Sequence, residues 1–146
     1  MFRKLEARLE VFLVHPGGPF WRNKDAGAWS LPKGEYADGE DPLAAATREF
    51  EEETGLRADG QFVPLGQVRQ AGGKIVTAWA FAGDCYAAGI RSNTFSIEWP
   101  KGSGRLREFP EVDRAAWFAI EEAREKILKG QAPLLDRLAA HLDAAR

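Results

Sequence analysis

The sequence predicts a single α/β domain, residues 1–146, in which a mixed β-sheet lies between helices. Short apolar runs typical of strands occur before and after one amphipathic helix, and two further helical segments end the chain. No internal repeat, low-complexity tract or long linker divides the sequence. A chain of this length buries enough surface for one ordinary hydrophobic core.

The first predicted strand, Leu9–Val14, is apolar at nearly every position and should be buried on both faces. Only Met1–Lys4 remain for a strand before it. Such an edge strand would be abbreviated, or the start of the protein would lie upstream.

The second element is a helix over Pro42–Thr54 with clear signals at both ends. Asp41 suits the N-cap, proline suits the first helical position, and Gly55 suits the left-handed residue that ends many helices. At about 100° per residue, one side of this helix is apolar and should face the core. Its residues are Leu43, Ala46 and Phe50.

Acidic residues crowd the last turns of this helix. Glu49, Glu52 and Glu53 share one strip, whereas Glu51 points to solvent. Like charges at this spacing, at the helix end that disfavours negative charge, each cost a few tenths of a kcal/mol. A divalent cation such as Mg²⁺ would turn the repulsion into coordination, and Arg48 could hold a neighbouring carboxylate. A solvated acidic face is the alternative for an isolated pattern of this kind.

The remaining elements follow from apolar runs and turn residues. Strands are predicted over 62–70, 74–82, 93–99 and 115–118, and a loop over 100–105. Helices are predicted over 120–128 and 133–145. The last helix has a stripe of leucines at helical spacing that should pack into the core: Leu134, Leu135, Leu138 and Leu142.

Residues 34–56 resemble the box that defines the Nudix family, G-x5-E-x7-R-E-U-x-E-E-x-G-U, in which U is a bulky apolar residue. Every specified position matches: Gly34, Glu40, Arg48, Glu49, Phe50, Glu52, Glu53, Gly55 and Leu56. Seven fixed residues would coincide by chance at on the order of 1 in 10⁸ start positions. The preceding segment, Trp29–Lys33, also resembles the family's usual lead-in.

This resemblance implies an α/β/α sandwich and an enzyme that hydrolyses a nucleoside diphosphate linked to another group. It implies Mg²⁺ or Mn²⁺ as the cofactor, which would neutralise the pyrophosphate and lower the pKa of a bound water. The positions of Glu52 and Glu53 match the family's main metal ligands. Glu49 matches a ligand or general base, and the identity of the base stays open between it and a carboxylate elsewhere.

Three more box residues take supporting roles by the same resemblance. Arg48 matches the orienting arginine, Gly34 could offer its backbone carbonyl to the metal, and Glu40 would brace the loop.

Two residues outside the box are candidates for the same site. Lys33 should lie near the metal and could contact a substrate phosphate, although a solvated lysine is the alternative. Glu111 could add a metal-binding or base carboxylate, a role for which Glu108 competes.

Other candidates for substrate binding lie in loops. Trp21, next to Phe20, could stack on a nucleobase, and Lys101 and Arg105 could steer phosphates; a packing role or plain solvation competes in each case. Trp79 and Trp117 are predicted to be core residues. His15 and His141 show no partner in the sequence and are assigned no catalytic role.

Composition excludes several classes of protein. A net charge of −2 argues against a general DNA-binding surface, and no apolar run approaches the ~18 residues that span a bilayer. A single cysteine, Cys85, excludes an internal disulfide and suits the cytoplasm. We expect a cytoplasmic protein, and the resemblance makes a homodimer possible without indicating its surface.

The expected substrate is a nucleotide or dinucleoside polyphosphate. The box and its lead-in are most similar to those of diadenosine tetraphosphate hydrolases, which predicts asymmetric cleavage to ATP and AMP, with nucleoside triphosphates close behind. ADP-ribose, nucleotide sugars, inositol pyrophosphates and capped RNA ends remain open. The second hypothesis is not an enzyme: a nucleotide-binding module without turnover. The third is a purely structural acidic domain.

Overall fold

The computed structural model describes residues 1–33 and 39–144. Its strands are β1 (Phe2–Leu5), β2 (Arg8–Pro16), β3 (Val63–Arg69), β4 (Ile75–Ala80), β5 (Thr94–Glu98), β6 (Leu106–Pro110) and β7 (Val112–Ala119). Its helices are α1 (Pro42–Thr54), α2 (Ile120–Lys126) and α3 (Ala132–Ala144).

The central strand is β2, which pairs antiparallel with β1 on one side and with β7 on the other. The β3–β4 pair, also antiparallel, joins β1 through a parallel contact just after β4. There the Phe2 N–H donates to the Phe81 carbonyl at 3.0 Å, and the Gly83 N–H donates to the Phe2 carbonyl at 3.0 Å. The sheet is therefore mixed, as predicted. The antiparallel pair β5–β6 forms a separate hairpin.

Side chains of β2 alternate between two hydrophobic clusters on opposite faces of the sheet. Val11 and Leu13 pack in a cluster that includes residues of α2 and α3. Phe12 and Val14 pack in another, which includes Phe50 of α1. The sheet thus lies between α1 and the α2–α3 pair, which confirms the predicted three-layer fold.

Helix α1 has the predicted bounds and caps. The Asp41 carboxylate accepts a hydrogen bond from the Ala44 N–H at 2.9 Å, and Gly55 ends the helix with a φ of 72°. A Cβ at Gly55 would lie 3.0 Å from the Arg91 carbonyl oxygen, so glycine also permits a close approach of the chain. Of the predicted apolar side, Phe50 is buried, whereas Leu43 and Ala46 are half-buried.

The leucine stripe of α3 is confirmed as core packing. Leu134, Leu135 and Leu138 are buried, and Leu142 packs against the cluster that contains Leu135 and Leu138. Within residues 1–33 and 39–144, the helices are all too short or too polar to cross a membrane.

The structure corrects the sequence prediction in the second half of the chain. Strand β6 was not predicted, because most of its residues are exposed and give no apolar pattern. Strand β7 begins at Val112, three residues earlier than expected, because the exposed, charged Asp113 and Arg114 interrupt any apolar run at its start. Trp79 is half-buried and not a core residue, whereas Trp117 packs against the core as predicted.

Candidate active site

Arg48 links three glutamates around the last turns of α1. Its Nη1 lies 2.9 Å from Glu49 Oε1 and 3.4 Å from Glu52 Oε1. On its other side, Nη2 lies 3.2 Å from Glu40 Oε1, and this hydrogen bond is the main reason why the pKa of Arg48 is raised. The contacts agree with the predicted pairing of this arginine with nearby carboxylates. They restrict the orientation of Glu49 and Glu52.

Glu53 points inward from the same helix and is only 8% exposed. The backbone N–H of Lys33 donates to its Oε2 at 2.6 Å. Burial raises the pKa of Glu53 to about 8, against the opposing effects of that hydrogen bond and the Lys33 charge, and Glu111 and Glu49 raise it further. The segment before the box therefore holds this carboxylate at a position where negative charge is costly.

Glu111 reaches the same region from the start of β7. Its backbone N–H donates to the Asn93 carbonyl at 2.8 Å, and the Asn93 N–H donates to the Glu52 carbonyl of α1 at 2.8 Å. Burial raises the pKa of Glu111, and the charges of Glu49 and Glu52 add to the effect. Glu108 instead accepts a hydrogen bond from the Thr94 hydroxyl on the β5–β6 hairpin at 2.7 Å.

We call the four carboxylates Glu49, Glu52, Glu53 and Glu111 the acidic site. Oxygen donors of this kind suit a hard divalent cation. Burial is the main cause of the raised pKa values of Glu53 and Glu111, and the charges of neighbouring carboxylates add to it. Within the described ranges, no three Asp, Glu, His or Cys side chains are already close enough to hold an ion together. The donor set fits such a cation by its chemistry. Gly34, the predicted carbonyl ligand, lies outside the described residues.

A cavity of about 410 Å³ lies between α1 and β4. None of the four carboxylates lines it, and Lys33, whose N–H bonds to Glu53, connects it to the acidic site. Lys33 lines it together with Ala46 and Phe50 of α1 and Val76 and Trp79 of β4. The lining is mostly apolar with a few polar groups, which is typical of a site for a small organic molecule. Trp79 was predicted to be a core residue, because an aromatic residue in an apolar strand has the pattern of one.

The other predicted substrate residues do not line this cavity. Trp21 is half-buried, with Lys24 Nζ 5.0 Å from its ring centroid, and Phe20 stacks edge-on against Trp99 at 5.5 Å. Lys101 and Arg105 are exposed in the turn that connects β5 and β6. The structure brings Lys33 to the acidic site and leaves these three residues elsewhere.

His15 has the partners that the sequence did not reveal. Its ring is fully buried, with Nδ1 2.9 Å from Asp113 Oδ1 and Nε2 2.7 Å from the Lys24 carbonyl oxygen. Both partners accept hydrogen bonds. The ring therefore ties the loop after β2 to β7 and has a structural explanation.

Comparison with solved structures shows the same fold in other proteins. A C. elegans Ap4A hydrolase, solved as a binary complex, superposes with a TM-score of 0.62 at 23% identity, covering 98% of this chain and 93% of that one. The NUDIX domain of Shewanella oneidensis NrtR, complexed with ADP ribose, gives a TM-score of 0.61 at 16% identity, covering 97% and 82%.

A sequence relative matches over a shorter stretch. Nudix hydrolase 25 of Arabidopsis thaliana is 60% identical over 30 residues, which is 20% of this chain and 17% of that protein. The chain thus matches less than a fifth of that relative's length.

The three-layer fold, with its acidic helix on one face of the sheet, defines a class of α/β/α domain. The family model for the NUDIX domain matches residues 4–138. The chain therefore belongs to the NUDIX family, the family of the Nudix hydrolases.

Proposed function

We propose that this protein is a Mg²⁺- or Mn²⁺-dependent pyrophosphohydrolase. It cleaves a phosphoanhydride bond in a nucleoside diphosphate that is linked to another group. The observation that carries the proposal is the gathering of three carboxylates of α1 with Glu111, which directly precedes β7; two of the four have raised pKa values, and Lys33 connects them to a cavity. Folding alone gains nothing from such a concentration of like charge.

Each residue of the acidic site has a role in this proposal. Glu49, Glu52, Glu53 and Glu111 would hold the cation, as would the carbonyl of Gly34. The cation would neutralise the pyrophosphate and lower the pKa of a bound water. Arg48 holds Glu49 and Glu52 in orientation, and the Lys33 N–H does so for Glu53.

Hydrolysis requires a base that takes a proton from the attacking water as its oxygen bonds to phosphorus and the phosphoanhydride P–O bond breaks. Glu49 and Glu111 are the candidates, because Glu53 is buried and already accepts the Lys33 hydrogen bond. The Lys33 side chain lines the cavity next to the acidic site, where its ammonium group would contact a substrate phosphate.

The substrate that we favour is diadenosine tetraphosphate, cleaved asymmetrically to ATP and AMP, or a nucleoside triphosphate. The C. elegans protein of similar fold is named an Ap4A hydrolase, which supports this choice. A cavity of about 410 Å³ with Trp79 in its wall has room for a nucleoside and an aromatic face for a base. ADP-ribose is the second candidate, because the Shewanella domain of similar fold is complexed with it.

A substrate screen tests the proposal. The purified protein is incubated with diadenosine tetraphosphate, nucleoside triphosphates, ADP-ribose and inositol pyrophosphates, with Mg²⁺, with Mn²⁺ or with a chelator. We expect phosphate-containing products only when a divalent cation is present. Glu52→Gln should lower turnover by at least ~100-fold because it removes a ligand charge. Glu51→Gln, on the exposed side of the same helix, is the matched control and should leave turnover unchanged.

The same screen separates the rival functions. Saturable nucleotide affinity with no products under any metal condition would identify a binding module. Equal turnover by wild type, Glu52→Gln and Glu51→Gln would contradict the proposed site.

A further inference from the structure

Gln131 is a fully buried polar side chain far along the chain from the box. It lies in the short turn Lys129–Gln131, between α2 and α3, and its exposed fraction is 0%. Buried amides are costly unless they are hydrogen-bonded, so its partners show what it holds in place.

Three hydrogen bonds fix the orientation of the Gln131 amide. Oε1 accepts from the Leu31 N–H at 3.0 Å, and Nε2 donates to Ser30 Oγ at 3.0 Å and to Gln70 Oε1 at 2.6 Å. Ser30 Oγ lies 3.4 Å from Gln131 Oε1 and donates to the Leu31 carbonyl at the shorter distance of 2.7 Å. A backbone N–H can only donate, so Oε1 must face Leu31.

These contacts reach both the acidic site and the cavity. Two residues beyond Leu31, the Lys33 N–H donates to Glu53 Oε2 at 2.6 Å. Gln70 lies at the end of β3 and lines the cavity, as do Leu31 and Lys33. Gln131 therefore joins the segment 30–33 to a second wall of the cavity and contacts none of the four carboxylates in the described structure.

We propose that Gln131 is a positioning residue: it holds the segment 30–33 so that the Lys33 N–H stays on Glu53. The inference rests on the proposed function for its effect on metal and turnover. Hydrogen-bond partners of metal ligands commonly change metal affinity when they are removed. Gln131 does not contact Glu53 itself: it bonds to Leu31, and the backbone from Leu31 to Lys33 connects it to the Lys33 N–H that Glu53 accepts.

Gln131→Met tests this role, because methionine has similar length and no amide. Gln67→Met is the matched control: Gln67 is exposed on β3, where its side-chain amide donates to the Thr77 hydroxyl at 3.1 Å. The first readout is amide hydrogen exchange of metal-free protein. We expect the Lys33 amide to exchange at least roughly tenfold faster in Gln131→Met, relative to core amides of β2, and to stay unchanged in Gln67→Met.

The second readout is the binding of Mn²⁺ alone, measured by titration calorimetry. We expect the dissociation constant to rise roughly tenfold in Gln131→Met. Turnover at subsaturating Mn²⁺ should fall in proportion, and saturating Mn²⁺ should restore kcat to within about twofold of wild type, since every ligand is still present. A purely structural role would lower stability without this rescue.

Ser30→Ala provides a milder second variant, since it removes one Gln131 partner and keeps the bond to Leu31. Ser30→Ala should raise the Lys33 exchange rate and the Mn²⁺ dissociation constant by less than Gln131→Met does. If Gln131→Met does not fold, Ser30→Ala is the variant that tests the inference. Unchanged Lys33 exchange and unchanged Mn²⁺ binding in the folded variants would overturn the inference. If wild type hydrolyses no substrate, the proposed function fails, whereas the exchange experiment still decides the role of Gln131.

Discussion

Two groups of carboxylates in this protein show opposite electrostatics. At the sheet edge, Arg3 lies 2.8 Å from Glu10 Oε1 and 2.7 Å from Asp84 Oδ1, and its guanidinium stacks 4.1 Å from the centroid of the Trp117 ring. The Arg3 hydrogen bond lowers the pKa of Asp84. In the acidic site, burial and neighbouring carboxylates raise the pKa of Glu53 and of Glu111.

We call Arg3, Glu10 and Asp84 the edge cluster. Each of its carboxylates pairs with Arg3, and Arg8 lies 3.5 Å from Glu10 Oε2, so positive charge offsets both carboxylates and the cluster stabilises the fold without a ligand. The acidic site holds more negative charge than the arginine beside it offsets, and it becomes favourable only when a cation or a proton is added. The contrast shows which charged residues serve the fold and which are kept for a ligand.

The largest expected effect comes from Glu53→Gln. Turnover should fall by roughly 1,000-fold, which corresponds to several kcal/mol of lost transition-state stabilisation. At the same time, the metal-free protein should melt at a higher temperature at pH 8, because a neutral amide replaces a buried charge. Steady-state kinetics and thermal melts in chelator measure the two effects. Asp84→Asn, in the edge cluster, should leave turnover unchanged; a similar loss there would remove the contrast.

The pH dependence of stability should have opposite signs in the two regions. The pKa of Glu53 is raised from 4.5 to about 8, so its contribution to metal-free stability is complete below pH 4.5 and is lost as the pH rises through 8. The pKa of Asp84 is lowered from 3.8, so its contribution is complete above pH 4 and is lost at lower pH.

Thermal melts in chelator from pH 3 to 9 measure the pH dependence of stability that each carboxylate causes. Between pH 5 and 8, the melting temperature of wild type should fall by on the order of 5 °C relative to Glu53→Gln. Below pH 4, the melting temperature of wild type should fall by more than that of Asp84→Asn. If the melting temperatures of wild type and Glu53→Gln depended on pH in the same way, the raised pKa of Glu53 would be contradicted.

The smallest expected effect comes from Arg3→Met in the edge cluster. Loss of two partly exposed ion pairs and the contact with Trp117 should lower stability by roughly 1 kcal/mol, with kcat and Mn²⁺ binding unchanged. Denaturant titration measures it. Arg8→Met is the matched control, because Arg8 is more exposed and lies 3.5 Å from Glu10. A change in turnover would show that the two regions are coupled.

The sequence was sufficient for parts of the molecule where local signals agree. Helix α1 was predicted with its bounds because Asp41, Pro42 and Gly55 mark its ends. Strand β6 was missed because four of its five residues are exposed. An exposed strand has no apolar period to detect.

The site was predictable to a similar extent. The pairing of Arg48 with Glu52 follows from their i, i+4 spacing on one helix, whereas the contact with the adjacent Glu49 does not follow from spacing. The position of Trp79 in the cavity and the contacts of Gln131 depend on residues that are distant in the chain. A single glutamine in a turn carries no pattern that would single it out.

The link between α1 and Glu111 runs through the peptide groups of Asn93, whose N–H and carbonyl make both hydrogen bonds. Nearly any side chain at this position would preserve it. A saturation scan would therefore score position 93 as tolerant, and variation among homologues would give the same impression. Proline lacks the backbone N–H, so Asn93→Pro is the substitution that would show how much of the site's geometry depends on main-chain hydrogen bonds.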